Sequence, residues 1–199
     1  MNTSHDKKVK IRKRSIYAKE HKTGYSWTLA TVLGECLLKA EELFGSRDKN
    51  YTLLGIDYAK KGRSWFPGNC KHIIVQLTKS CLMDRQDAYL QLSHETIHLL
   101  SPTGKNSTNN LEEGLAYYFS AYYMNSFFGD GWWNHKILSR KHRKAFQTCN
   151  KLLSLDKEAI KKLREIQPTI SKITSDQILN LYPTLPKEDA DFLSRKLGK

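Results

Sequence analysis

Residues 91–119 read QLSHETIHLLSPTGKNSTNNLEEGLAYYF, and this stretch constrains the chain more than any other. His94, Glu95 and His98 stand in the order H-E-x-x-H. Residues four apart on a helix share one face, so His94 and His98 present two imidazoles to a single metal ion. Zinc takes such nitrogens, and a catalytic zinc site adds a third protein ligand and keeps one position for water. Glu95, beside the first histidine, is then placed to take a proton from the activated water. A carboxylate on the following helix is the expected third ligand, and Glu112 and Glu113 both qualify.

The surroundings agree with this reading. Ala88, Leu90, Leu92, Ile97, Leu99 and Leu100 predict a helix over 87–100, with Asp84 as its N-cap. Residues 101–110 are rich in Ser, Pro, Gly and Asn and read as a loop. Residues 111–127 read as a second helix of small and aromatic residues. Two surface histidines beside an accidental glutamate would predict neither the loop nor the acidic start of that helix. Asn109 with Glu112 fits a capping box, which would turn Glu112 back and free Glu113 for metal. Asn110 with Glu113 fits the same box, and Glu112 shares a face with Leu115, Ala116 and Phe119. The local pattern alone leaves both glutamates open.

HETIH followed by LEEGLAYYF resembles the gluzincin metallopeptidases, and in particular is similar to the aminopeptidase N type, whose second motif reads N-E-G-x-A. The resemblance implies Zn2+ as cofactor, held by His94, His98 and Glu113, with Glu95 as general base of peptide hydrolysis. It favours Glu113 over Glu112, because the family's glutamate before the glycine binds zinc. It also implies a donor to the substrate oxyanion. Tyr117, one turn after Glu113, is the first candidate; His135, His142 and Tyr182 are others. In the family, the strand before the zinc helix lies along the cleft, and an extended peptide adds to its edge. Residues 73–77 are the candidate edge strand. Fourteen residues separate His98 from Glu113, fewer than is usual in the family, which implies a pared-down zincin domain. The family's exopeptidase motif for a free amine is absent, which favours internal cleavage.

Leu29, Leu33, Cys36, Leu37, Ala40 and Phe44 recur at helical spacing and predict a helix over 26–44 that ends at Gly45. Residues 51–58 and 72–78 read as strands, with a short one at 64–66. The pattern is helical over 135–166 until Pro168 interrupts it, and again over 175–181 and 187–197. The expected fold is α+β and zincin-like. A small, mainly antiparallel sheet packs on helices that include the H-E-x-x-H helix. The expected organisation is a basic arm at 1–24, a catalytic core at 25–130 and a helical C-terminal lobe at 131–199.

The net charge of +13 is concentrated at 7–22 and 136–164. Such charge suits nucleic acid or an acidic protein partner, although no nucleic-acid-binding motif accompanies it. Two functions are therefore carried forward. One is a zinc-dependent metallopeptidase acting on a peptide or protein substrate. The other is a basic nucleic-acid- or protein-binding module on a zincin fold, with its metal structural or lost. Hydrolysis of a bond other than a peptide is a third reading, because the motif specifies water activation and not the carbonyl. No apolar run is long enough to cross a bilayer, and the basic N-terminus lacks the apolar block of a secretory signal. The four scattered cysteines read as reduced thiols, so a cytoplasmic protein without a membrane partner is expected.

Overall fold

The computed structural model describes residues 20–21, 24–25, 28–105, 107–135 and 138–197. Most of the expected basic arm lies outside the described residues; Glu20–His21 (β1) and Gly24–Tyr25 (β2) pair antiparallel. The described residues form a mixed α+β structure with seven α-helices and a three-stranded sheet. No helix among them is long and apolar enough to cross a membrane.

Helix α1 (Leu29–Phe44) starts on a capping box between Thr28 and Thr31. It ends at Gly45, whose φ of +89° suits a residue without a Cβ. Its Leu29, Leu33, Cys36, Leu37, Ala40 and Phe44 are buried, as the periodicity predicts, and Val32 is buried with them. The sheet contains β3 (Thr52–Ala59), β4 (Arg63–Trp65) and β5 (His72–Thr78) in the order β3-β5-β4.

Two expectations are corrected here. The sheet is not mainly antiparallel, because its longer pairing, β3 with β5, is parallel. Only the short β4 runs antiparallel to β5. Nor is 73–77 an edge strand: β5 is hydrogen-bonded on both sides. Its run of Ile73, Ile74, Val75 and Leu77 is the near-continuous apolar pattern of a central strand. The edge beside the H-E-x-x-H helix belongs to β4.

Helix α2 (Arg85–His98) is capped by Asp84, whose side chain accepts from the Gln86 and Asp87 N–H groups. It packs against α1, β4, β5 and α3 (Asn110–Phe128). Helices α4 (Arg140–Leu155), α5 (Ala159–Ile166), α6 (Ser175–Leu181) and α7 (Lys187–Ser194) follow. The helical pattern over 135–166 is broken at Asp156, whose extended backbone separates α4 from α5. Its carboxylate accepts from the Glu158 N–H, the Lys162 ammonium and the Tyr182 hydroxyl, which rewards leaving the helix there. One buried cluster includes residues from both sides of position 130, among them Val75, Leu92, Leu115, Leu152, Leu163 and Ala190.

Two contacts set how closely the helices approach. A Cβ on Gly114 would overlap the Ala145 carbonyl oxygen and lie 2.8 Å from Cys149 Cβ, so α3 and α4 meet at this glycine. Arg164, on α5, donates to the carbonyls of Phe44, Gly45, Ser46, Leu100 and Pro168. It thereby joins the end of α1 to the residues just after α2. Arg164→Met should cost about 2–5 kcal/mol in denaturant unfolding, because it strands buried carbonyls without a donor. Gly114→Ala should cost about 1–3 kcal/mol through overpacking. Wild-type stability in either variant would contradict this account of the packing.

Candidate metal centre

The first turn of α3 stands opposite the last turn of α2. This juxtaposition begins with the caps. Asn109 Oδ1 accepts from the Glu112 N–H, and Asn109 Nδ2 donates to the Ile170 carbonyl. The loop before it is held by the chain's C-terminal part. Ser101 Oγ accepts from the Ile170 N–H, and the Thr108 carbonyl accepts from the Leu197 N–H. The capping box expected between Asn109 and Glu112 is only half formed, since the Glu112 carboxylate points elsewhere.

It points to His98. Glu112 Oε1 lies 2.8 Å from His98 Nδ1, and both side chains are almost fully buried. This leaves His98 Nε2 directed at His94 Nε2, 3.4 Å away. The Glu113 carboxylate closes the triangle, with Oε2 3.6 Å from His94 Nε2 and Oε1 3.7 Å from His98 Nε2. Thr108 Oγ1 donates to Glu113 Oε1 at 3.2 Å. In a tetrahedral zinc site with bonds near 2.05 Å, neighbouring donors are about 3.3 Å apart. The observed separations are close to one face of such a tetrahedron, so His94, His98 and Glu113 fit the ion. They are also the one cluster of metal-ligand type found among the described residues.

Glu95 lies on the same helix, buried, with its Oε2 accepting from Ser64 Oγ of β4 at 3.1 Å. Burial raises its pKa above the usual carboxylate range, against the opposing pull of His98 and the Ser64 hydrogen bond. For His98 burial acts downward, but the hydrogen bond and charge of Glu112, with Glu113 and Glu95, outweigh it and lift the imidazole to about 10. His94 has no such hydrogen-bonded partner, and burial pushes it down to about 4. The two histidines of one motif thus differ because only one is backed by a carboxylate on its second nitrogen.

Of the oxyanion candidates, Tyr117 and His142 reach the site. The Tyr117 ring packs on His94 at 4.6 Å between centroids, and its hydroxyl lies 3.1 Å from His142 Nδ1. Tyr182 does not reach it: its hydroxyl donates to Asp156 on another part of the surface. The side chain of His135 lies outside the described residues. Sequence reasoning did not foresee Ser64, nor the role of Glu112 behind His98. Neither has a local signal, because each acts across 14 or more residues of chain.

Two cavities, of about 330 and 310 Å³, meet over the cluster. Both are lined by His94, Glu95, Tyr117, His142 and Gly62. Compared with models of protein families, with curated proteins and with solved structures, the chain matches none. The functional reading therefore rests on the site itself.

Removing the group behind a metal ligand weakens affinity without destroying the site. Glu112→Ala should lower zinc affinity about 10–100-fold in competition with a chromophoric chelator. Glu113→Ala should lower it further. Equal losses in the two variants, or none in Glu112→Ala, would contradict the roles given to these neighbours.

Proposed function

We propose that the chain is a zinc-dependent metallopeptidase of gluzincin type, hydrolysing peptide bonds in the cleft between β4 and the first turn of α3. The observation that carries this reading is the triangle of His94, His98 and Glu113, with buried Glu95 on its rim. His94 Nε2, His98 Nε2 and the Glu113 carboxylate would hold the ion. Bound there, zinc supplies Lewis-acid polarisation of a carbonyl and acidifies water.

The chain's own residues supply the rest. Ser64 occupies Glu95 Oε2, which leaves Oε1 to receive a proton from the attacking water. Burial raises the pKa of this carboxyl, so it accepts that proton more readily and carries it to the leaving nitrogen. Burial also holds the Tyr117 hydroxyl protonated, with its pKa lifted to about 12. At neutral pH it is a hydrogen-bond donor, available to the developing oxyanion with His142 beside it.

Substrate enters as an added strand. Among the described residues β4 pairs only with β5, so its outer edge offers free main-chain groups to an extended peptide. Its Ser64 anchors that edge to the general base. The start of α4, with Ser139 and His142, forms the facing wall.

Glu95→Gln should retain one zinc per chain yet cleave a denatured protein mixture about 10²–10⁴-fold more slowly, as read by mass spectrometry of the products. Undiminished cleavage by that variant would remove the mechanism.

A further inference from the structure

Only one face of the sheet is tied into the core. Ile73, Val75 and Leu77 of β5 are buried, and Ser64 of β4 meets Glu95 of α2 on that side. Side chains alternate along a strand, so Ile74 and Gln76 of β5 point to the opposite face, with Arg63 and Trp65 of β4. Among the described residues, neither Ile74 nor Trp65 joins the buried cluster, and Trp65 is 39% exposed. Parallel strand pairs such as β3 with β5 are normally covered on both faces.

The open face carries two rows that cross all three strands. The register sets Asp57, Gln76 and Arg63 side by side in one row. Gln76 bridges its neighbours. Its Oε1 accepts from Arg63 Nε at 2.9 Å, and its Nε2 donates to Asp57 Oδ2 at 3.3 Å. Neither Asp57 nor Arg63 has an oppositely charged partner among the described residues, whereas Lys39, Arg47, Lys151 and Lys162 each have one. The next row holds Gly55, Ile74 and Trp65. Among the described residues, nothing lies within 4 Å of where a Gly55 Cβ would stand. Each row therefore has unlike ends, a carboxylate against a guanidinium and an empty position against an indole.

Unlike ends are what pairing about a twofold axis requires, because such an interface sets residue i on j and j on i. Let two sheets lie face to face, with the axis between them and parallel to β5. Asp57 of each copy then meets Arg63 of the other. Each Trp65 indole enters the space over the other copy's Gly55, and Ile74 meets Ile74 on the axis. An axis running across the strands would instead set Arg63 over Trp65 and leave Asp57 over Gly55. We propose that this face is the interface of a homodimer, in which two copies pack sheet on sheet about an axis parallel to β5. A face of three strands is small for a permanent dimer, so the association is weak, in the micromolar range. Ser64 and Glu95 meet on the opposite side, so the dimer leaves the metal cluster open.

The test is sedimentation equilibrium on the full chain from about 1 to 500 μM, the range in which a small interface assembles. The wild type should pass from monomer to dimer as concentration rises. Arg63→Asp and Asp57→Arg should each weaken the dimer about 10-fold or more, because each sets like charges against one another at both ends of the row. An equimolar mixture of the two variants should dimerise again, since the carboxylates of one copy then face the guanidinium groups of the other. This recovery separates a lost contact from a misfolded variant. A wild type that stays monomeric over this range would give the face to another occupant, such as the chain's own basic arm, and overturn the proposal. A dimer indifferent to both substitutions, or a mixture that fails to recover, would overturn it as well.

Discussion

Two buried carboxylates, Glu95 and Glu112, and a third, Glu113, that is largely covered surround one point, and the site depends on how that charge is compensated. Taking carboxylates out of water is costly unless cations or donors meet them. Ser64 meets Glu95, Thr108 meets Glu113, and the His98 imidazole meets Glu112 at 2.8 Å. Burial still raises the pKa of Glu95 and Glu112, whereas at Glu113 burial is outweighed by the histidines and Thr108, which lower it. A divalent ion held by His94, His98 and Glu113 would complete the compensation. It would also displace any proton from His98 Nε2 while leaving the Nδ1 contact with Glu112 intact.

Bringing these groups together takes more of the chain than the motif itself. The two helix ends carrying His94, His98 and Glu113 are joined by a loop that would be free to splay. Asn109, Ser101 and Thr108 are instead tied to Ile170 and Leu197 by hydrogen bonds across 60 or more residues. Arg164 clamps the carbonyls at the ends of α1 and α2, and Gly114 lets α4 close on the back of α3. The C-terminal helices thus act as a brace for the geometry of the His94, His98 and Glu113 cluster. His142, at the start of α4, brings that brace into the cleft.

Local chemistry was the legible part of the sequence. The periodicity of α1, the cap at Asp84 and the shared face of His94 and His98 follow from residue spacing and are found, and of the two caps left open, Asn109 and Asn110, the structure has Asn109. The choice between Glu112 and Glu113 was not legible from the local pattern. Adjacent helical positions differ by about 100° of rotation. Which one faces His94 depends on the phase at which α3 packs on α2, a tertiary quantity. The parallel pairing of β3 with β5 was hidden for a similar reason: β4 intervenes in sequence but takes the outer edge in space. Ser64, Lys105 and His142 line the cleft from three separate segments, and no spacing rule connects them. One of the three donors that meet Asp156 at the break between α4 and α5 is Tyr182, 26 residues on.

The most direct measurement is X-ray absorption at the zinc edge on protein loaded with one equivalent and passed through a desalting column. The account predicts that the ion is retained, with nitrogen and oxygen neighbours at about 2.0–2.1 Å and the multiple scattering of imidazole. Sulfur neighbours at about 2.3 Å would place zinc at the cysteines instead, and loss of the ion on the column would mean that the triangle of His94, His98 and Glu113 is not a metal site.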